Sequence, residues 1–187
     1  VLPPRAAREL SPERNAGLPL VPQLLCRDSG ASIWAAKPLA DMGYGDVNPN
    51  LGCPSGTVAA KGKGPAFLAF PAELEAFFER VFAEPDMPRV SVQTRLGVED
   101  PAEFGALLEI YRHGPIAELI IHPRVRRDMS RLPVRPERCP AGGPWPLCWN
   151  GDVFTPGAAR ETQARFPGVC ALMLGRGAAA NPALFPP

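Results

Sequence analysis

Five cysteines without a single CxxC pair among them argue against a zinc site, and their odd number and wide spacing argue against a disulfide framework. Cys26, Cys53, Cys139, Cys148 and Cys170 instead fit a reducing cytoplasm. No apolar run is long enough to span a bilayer and no signal peptide is visible, so no membrane association is expected. Neither sign of charge dominates: 20 Lys and Arg stand against 19 Asp and Glu, a formal net +1. Any nucleic-acid contact must therefore come from a local patch. One candidate is the run Arg124, Arg126, Arg127, Arg131, Arg135 and Arg138, opposed only by Asp128 and Glu137; composition alone favours a solvated loop there. No GxGxxG follows the first apolar run, which weighs against a dinucleotide-binding doubly wound sheet.

Proline, by contrast, is abundant: 25 of 187 residues, where a share of roughly 5% is usual. Some of these prolines fall where helices or strands are expected. With 45% apolar residues the chain can bury a core, and one domain spanning 1–187 is the default.

Residues 1–17 are polar, rich in Pro and Arg, and read as a connecting segment. Strands are then expected over 18–25, 45–50, 89–96, 118–122, 147–150 and 169–174. Helices are expected over 31–42 (closed by Gly43), from Pro71 to about Glu84, after the capping box Asp100-Pro101-Ala102-Glu103, and over 156–165. Leu74, Phe77, Phe78, Val81 and Phe82 form a one-sided stripe of 3.6-residue period, which is packing. Leu107, Leu108 and Tyr111 should face inward on the next helix. This rhythm of βα units implies a parallel sheet, and the apolar runs LIIH and CALML imply strands covered on both faces. The fold class is α/β, and a (β/α)₈-type barrel fits better than a doubly wound sheet, although only six strands are visible.

The stretch DVNPNLGCPSG is where the chain becomes specific. Residues 47–50 end a short strand, and Gly52 with Pro54 forces a turn that presents Cys53 at its C-terminal edge. In parallel barrels that edge carries the active site. A lone cysteine is more often a small buried hydrophobe. Here the ordered landmarks VPQLL, GYGDVNPNLGCPSG with KGKGPAFL after it, SVQTRLG, LIIHPR, WNGD and MLGRG change the odds. Together, from Leu18 to Phe185, they resemble the tRNA-dihydrouridine synthases, flavoenzymes that reduce uridine in tRNA.

The resemblance implies a TIM barrel with FMN at the C-terminal ends of its strands, NADPH as reductant and tRNA as substrate. On that template the visible strands are the third to the eighth. The first two, with the family's N-terminal Pro-Met flavin contact, and the helical tRNA-binding domain after Phe185, are expected to be missing from this chain. Oligomeric state is not implied. Cys53 is the implied proton donor. Gln23, Gln93, His122, Asn150, Gly151, Asp152, Gly175 and Arg176 are the implied FMN contacts; Asn50, Arg95 and Arg124 are the implied substrate contacts, and no metal is implied. The chemistry agrees: an ordinary thiol, pKa about 8.5, is mostly protonated at neutral pH and can donate without a histidine beside it. Taken alone, Asn50 reads equally as a turn residue, Gln23 as a polar strand residue, and His122 as a satisfied core histidine.

Three departures bear on activity. Gln93 stands where the family has Lys in K-x-R-L-G, removing a positive charge that would stabilise anionic reduced flavin. Pro49 removes a ladder N–H from a buried strand. Ser130 stands where many relatives carry an aromatic residue. Two other readings stay open, a flavin barrel reductase acting on a small molecule and a non-catalytic remnant.

Overall fold

A computed structural model of the chain describes residues 2–53, 55 and 60–184. Pro54 and Gly56 of the expected turn after Cys53, and Phe185 at the end of the matched region, lie outside the described residues. The elements are α1 (Pro4–Glu9), β1 (Gln23–Leu24), α2 (Ser29–Asp41), β2 (Asp46–Pro49), α3 (Pro71–Ala83), β3 (Arg89–Arg95), α4 (Phe104–Arg112), β4 (Ile116–His122), β5 (Leu147–Asn150), α5 (Pro156–Arg165), β6 (Val169–Met173) and α6 (Arg176–Ala180). The strands form one sheet in the order β1-β2-β3-β4-β5-β6, every neighbouring pair parallel.

Local chemistry accounts for the helices. Asp28 caps α2 by accepting the Ala31 N–H at 2.7 Å, and the helix ends where Gly43 takes φ +92°, a conformation glycine adopts without strain. Pro71 occupies the first turn of α3, where its missing N–H costs nothing. Asp100 and Glu103 bond reciprocally to backbone N–H groups, the expected capping box, although the first turn it opens is a 3-10 turn over Pro101–Glu103 that leads into α4.

The sheet's outer face is the core. Val90, Val92, Leu119, Ile121, Leu147 and Trp149 alternate along β3, β4 and β5, all buried. Against them pack Leu74, Phe77, Phe78 and Val81 of α3 and Phe104, Leu107 and Tyr111 of α4. Leu108 is only half-buried; Ile110 takes the inward position. Phe77 meets Phe67 and Phe78 edge-on at 5.7 and 5.2 Å, and Phe78 meets Tyr111 at 5.9 Å. Each fully buried ring contributes roughly 1.5–3 kcal/mol. Tyr111, wholly buried, still satisfies its hydroxyl against Thr94 Oγ1 at 2.8 Å.

The six strands are thus present, with three adjustments. β1 is limited to Gln23–Leu24, and Leu18, Leu20 and Val21, expected within it, are exposed. They have the composition of a strand but no partner on that side among the described residues. The CALML run is not covered on both faces: only Val169 is buried, and Cys170 is exposed. Among the described residues β6 ends the sheet and pairs only with β5, and α5 beside it buries no residue, so apolar composition exceeds the cover available. Pro49 leaves its mark on the ladder. β2 and β3 pair at Asp46↔Arg89 and Val47↔Val90 and meet again at Asn50↔Gln93, with Pro49 in the gap. Across that gap Asn48 donates from its side chain to Ser91 Oγ at 2.8 Å.

Val21 and Gln23 at one end of the sheet and Met173 to Gly177 at the other line one cleft. The sheet is therefore curled, an incomplete parallel barrel with its helices outside. All five cysteines are free. No helix among the described residues is long and apolar enough to cross a membrane.

Candidate active site

On each strand the residues between the core positions point into the curl. Toward the carboxyl ends they are polar, Asn48 and Asn50 on β2 and just beyond it, Ser91, Gln93 and Arg95 on β3, His122 on β4 and Asn150 on β5, while Ile120 and Cys148 lie deeper and are buried. Side-chain amides are joined across the sheet. Gln23 Nε2 donates to Asn48 Oδ1 and to Gln93 Oε1, both at 2.9 Å, and Gln23 Oε1 accepts from Asn50 Nδ2 at 2.6 Å. Gln93 Nε2 reaches Asn150 Oδ1 at 3.1 Å, and Asn150 Nδ2 reaches the Met173 carbonyl at 2.8 Å. The chain of amides spans β1 to β6.

Cys53 is set by this floor. Asn50 Oδ1 accepts the backbone N–H groups of both Gly52 and Cys53 at 2.8 Å, an Asx turn that fixes the residue after the strand. Arg95, 1% exposed, braces the same turn from beneath: its Nε donates to the Gly52 carbonyl at 2.8 Å and its Nη1 to the Val125 and Met129 carbonyls at 3.0 and 2.7 Å. Burial, with Arg124 nearby, lowers Arg95 to about 10, so it stays charged at neutral pH, within electrostatic reach of the Cys53 thiol.

The far wall is an ion cluster. Arg124, 2% exposed, donates to the Leu132 carbonyl, to His122 Nε2 at 2.8 Å and to Asp152. Asp152 also accepts from Arg176 at 2.7 Å, and Arg176, half exposed, lies 5.5 Å from the Phe154 ring. Among the described residues three non-glycines take positive φ, and two of them are here, Met129 at 54° and Asp152 at 48°. Such strain is held where surrounding contacts over-determine it; these two residues supply acceptors to Arg95, and to Arg124 and Arg176. Gly177 cannot be enlarged: a Cβ there would stand 2.1 Å from the Val153 carbonyl oxygen, so α6 sits directly on the loop that carries Asp152.

A cleft of about 540 Å³ at the carboxyl ends of the strands gathers Gln23, Asn50, Cys53, Gln93, Arg95, His122, Asn150, Gly151, Asp152, Gly175 and Arg176. Arg124 is not among its lining residues; it stands behind His122. Of the arginine run, Arg135 is paired with Asp128 and Arg127 approaches Glu99 at 3.6 Å, while Arg131 and Arg138 are exposed. Sequence reasoning missed Asn48, which joins the amide floor, and Phe154, an exposed aromatic at the mouth. Asn48 had a signal: it stands two residues before Asn50 and so shares its face. Among the described residues no cluster of His, Cys, Asp or Glu could hold a metal ion.

A parallel α/β barrel sheet with a polar, glycine-edged cleft at its carboxyl ends defines a ligand-binding barrel of the enzyme type. Comparison with known proteins supplies the particular kind. The family model described as dihydrouridine synthase (Dus) matches residues 3–186, and the chain belongs to that family. It is 34% identical over 172 residues to a probable tRNA-dihydrouridine synthase of Staphylococcus epidermidis, and 31% identical over 172 residues to probable tRNA-dihydrouridine synthase 2 of Bacillus subtilis. In both cases the match covers 83% of this chain and 52% of the relative. The chain spans about half the length of the curated relatives it matches.

Proposed function

We propose that this chain carries the flavin and uracil site of a tRNA-dihydrouridine synthase: FMN lies in the cleft, and Cys53 gives a proton to C5 of a uridine presented by tRNA. The observation that carries the reading is the convergence of Cys53, the amide floor and Arg176 on one cleft. The residues fit the cofactor. Amides of Gln23, Gln93 and Asn150 offer alternating donors and acceptors to a heterocycle edge, and a half-exposed Arg176 offers N–H groups not committed to Asp152 for a phosphate. Gly175, with nothing within 4 Å of a Cβ placed on it, leaves room beside that cation. The cleft's volume falls within the range usual for cofactor sites, roughly 300–1,000 Å³.

When bound and reduced by NADPH, FMN supplies the hydride for C6 of uracil. Cys53 supplies the proton for C5, and the Asx turn at Asn50 holds its thiol at the rim. The thiolate left behind faces Arg95, a buried cation whose three carbonyl contacts keep it from swinging away. Asn50 serves the reaction chiefly through that turn, since its oxygen is committed to two backbone N–H groups. Phe154 and the half-exposed Arg176 give the cleft an aromatic face and a cation, the two features that single-stranded RNA uses. FMN titration followed by flavin fluorescence is the direct test. Saturable binding with flavin absorbance in the purified protein supports the reading, and no uptake at micromolar FMN returns the chain to a non-catalytic remnant.

A further inference from the structure

His122 lines the cleft at the end of β4, and its ring is gripped on one edge only. The grip is Arg124 Nη1 at 2.8 Å from His122 Nε2. A guanidinium can only donate. Nε2 must therefore bring its lone pair to that contact, and a neutral imidazole with its lone pair on Nε2 carries its proton on Nδ1. Among the described residues Nδ1 has no hydrogen-bond partner, yet no buried side-chain nitrogen or oxygen is left unpartnered. Nδ1–H is therefore accessible, and the cleft is where His122 is reached.

We propose that Arg124, anchored by Asp152, is a positioning residue that locks His122 as the neutral Nδ1–H tautomer, so that the cleft receives a fixed hydrogen-bond donor for an acceptor atom of its ligand. The acceptor is a carbonyl oxygen or an unprotonated ring nitrogen, and it is a flavin or uracil atom if the reading above holds; the tautomer itself does not depend on that reading. Four charged groups face the ring from separate elements: Arg95 on β3, Arg124 after β4, Asp152 after β5 and Arg176 on α6. Three cations against one anion, added to burial, keep a second proton off. His122 is pushed down to about 3, burial first and Arg95 next. It then stays neutral in the working range.

The chain has only two histidines, so the test is direct. Long-range ¹H–¹⁵N correlation spectra of the ligand-free, ¹⁵N-labelled protein give both ring nitrogens of His122 and of exposed His113. The expected result is a pyrrole-type Nδ1 and a pyridine-type Nε2 for His122, unchanged between pH 8 and pH 5. An Nε2–H pattern, or a change of the His122 ring nitrogens over that range, overturns the proposal without any variant being made. Arg124→Gln removes the obligate donor and should bring the second tautomer into the spectrum; an unchanged spectrum in a folded variant also overturns the lock. The ligand side uses FMN as probe. The amide nitrogen of asparagine mimics Nδ1 and that of glutamine mimics Nε2, so His122→Asn should bind FMN roughly tenfold more tightly than His122→Gln, the value of one neutral hydrogen bond. Equal affinities would mean that the donor does not meet FMN. Absence of FMN binding by the parent would instead count against the proposed function, leaving the tautomer to the spectrum.

Discussion

Val92 and Gln93 are consecutive on β3, yet one belongs to a region held by burial and the other to a region held by direction. Val92 is 0% exposed against the helices, in a face of valines, leucines and rings that needs only the right volume. Gln93 lies between Gln23 and Asn150, and its amide works only in one orientation because each partner's donor fixes the next acceptor. The apolar face tolerates repacking; the polar face does not, since a turned Gln93 amide sets donor against donor at Gln23 and acceptor against acceptor at Asn150. A ligand entering the cleft must offer the same alternation to the amides it displaces. The same strand therefore builds a forgiving scaffold and an exacting site by period-2 alternation alone.

The comparison can be broken hardest from the scaffold side. Phe78→Ala removes a ring that is 3% exposed and touches Phe77, Phe82 and Tyr111. A loss of about 3–5 kcal/mol is expected in denaturant unfolding, with FMN affinity unchanged in whatever fraction stays folded. On the site side the largest effect is kinetic. Cys53→Ala should leave flavin uptake and reduction by NADPH intact and slow reoxidation by tRNA about 10²–10⁴-fold in stopped flow, the usual worth of a positioned acid. Equal reoxidation would make Cys53 a residue that merely fills the turn.

The scaffold was the more legible half, for the same physical reason. Apolar spacing marks which side of an element is buried, so β5 at Leu147–Asn150 and α5 at Pro156–Arg165 fall where the pattern places them. It does not say whether a neighbour is present to do the burying, which is why Leu18, Leu20 and Val21 promised more strand than β1 delivers. In the cleft, matched motifs brought Gln23, Cys53, Gln93, His122, Asn150 and Arg176 together. Motifs could not separate an arginine that reaches outward from one that braces: Arg95 and Arg124 are both buried, spent on carbonyls, His122 and Asp152. Nor could they show that the carbonyl of Met129, an apolar residue in a polar loop, accepts from Arg95.

Two smaller effects sharpen the contrast. Arg176→Ala should weaken FMN binding by roughly 1.5–3 kcal/mol, the worth of a charge-assisted contact, and unchanged affinity would remove the phosphate from that loop. Acid should act through His122. Its value in the folded protein, about 3, lies below the ordinary 6.5, so between these limits the unfolded chain binds the extra proton and stability falls as pH falls. The slope is at most about 1.4 kcal/mol per pH unit. Half-buried Glu118, raised by burial and then by Asp46, acts in the opposite sense just above its ordinary 4.5. Thermal unfolding of the parent against His122→Asn isolates the histidine: the variant's melting temperature should fall less between pH 6.5 and pH 5, and parallel curves would contradict the depressed value.

The finest test lies at Gln93, where the family resemblance leads one to expect lysine. Gln93 is neutral and bonded on both sides, accepting from Gln23 and donating to Asn150. Lysine at this position could still donate toward Asn150, but it has no acceptor for Gln23, whose amide then turns to water or ligand. It also brings a charge to the floor of a cleft already facing Arg95 and Arg176. A cation beside a flavin ring favours the anionic reduced form over the oxidised one, so Gln93→Lys should raise the midpoint potential of bound FMN. The shift should be modest, since water in the open cleft screens the new charge. Spectroelectrochemical titration of parent and variant decides it. A higher potential in Gln93→Lys means that residue 93 faces the flavin and that the parent is the weaker oxidant; an unchanged or lower one means that Gln93 belongs to the amide floor alone and the ring lies elsewhere in the cleft.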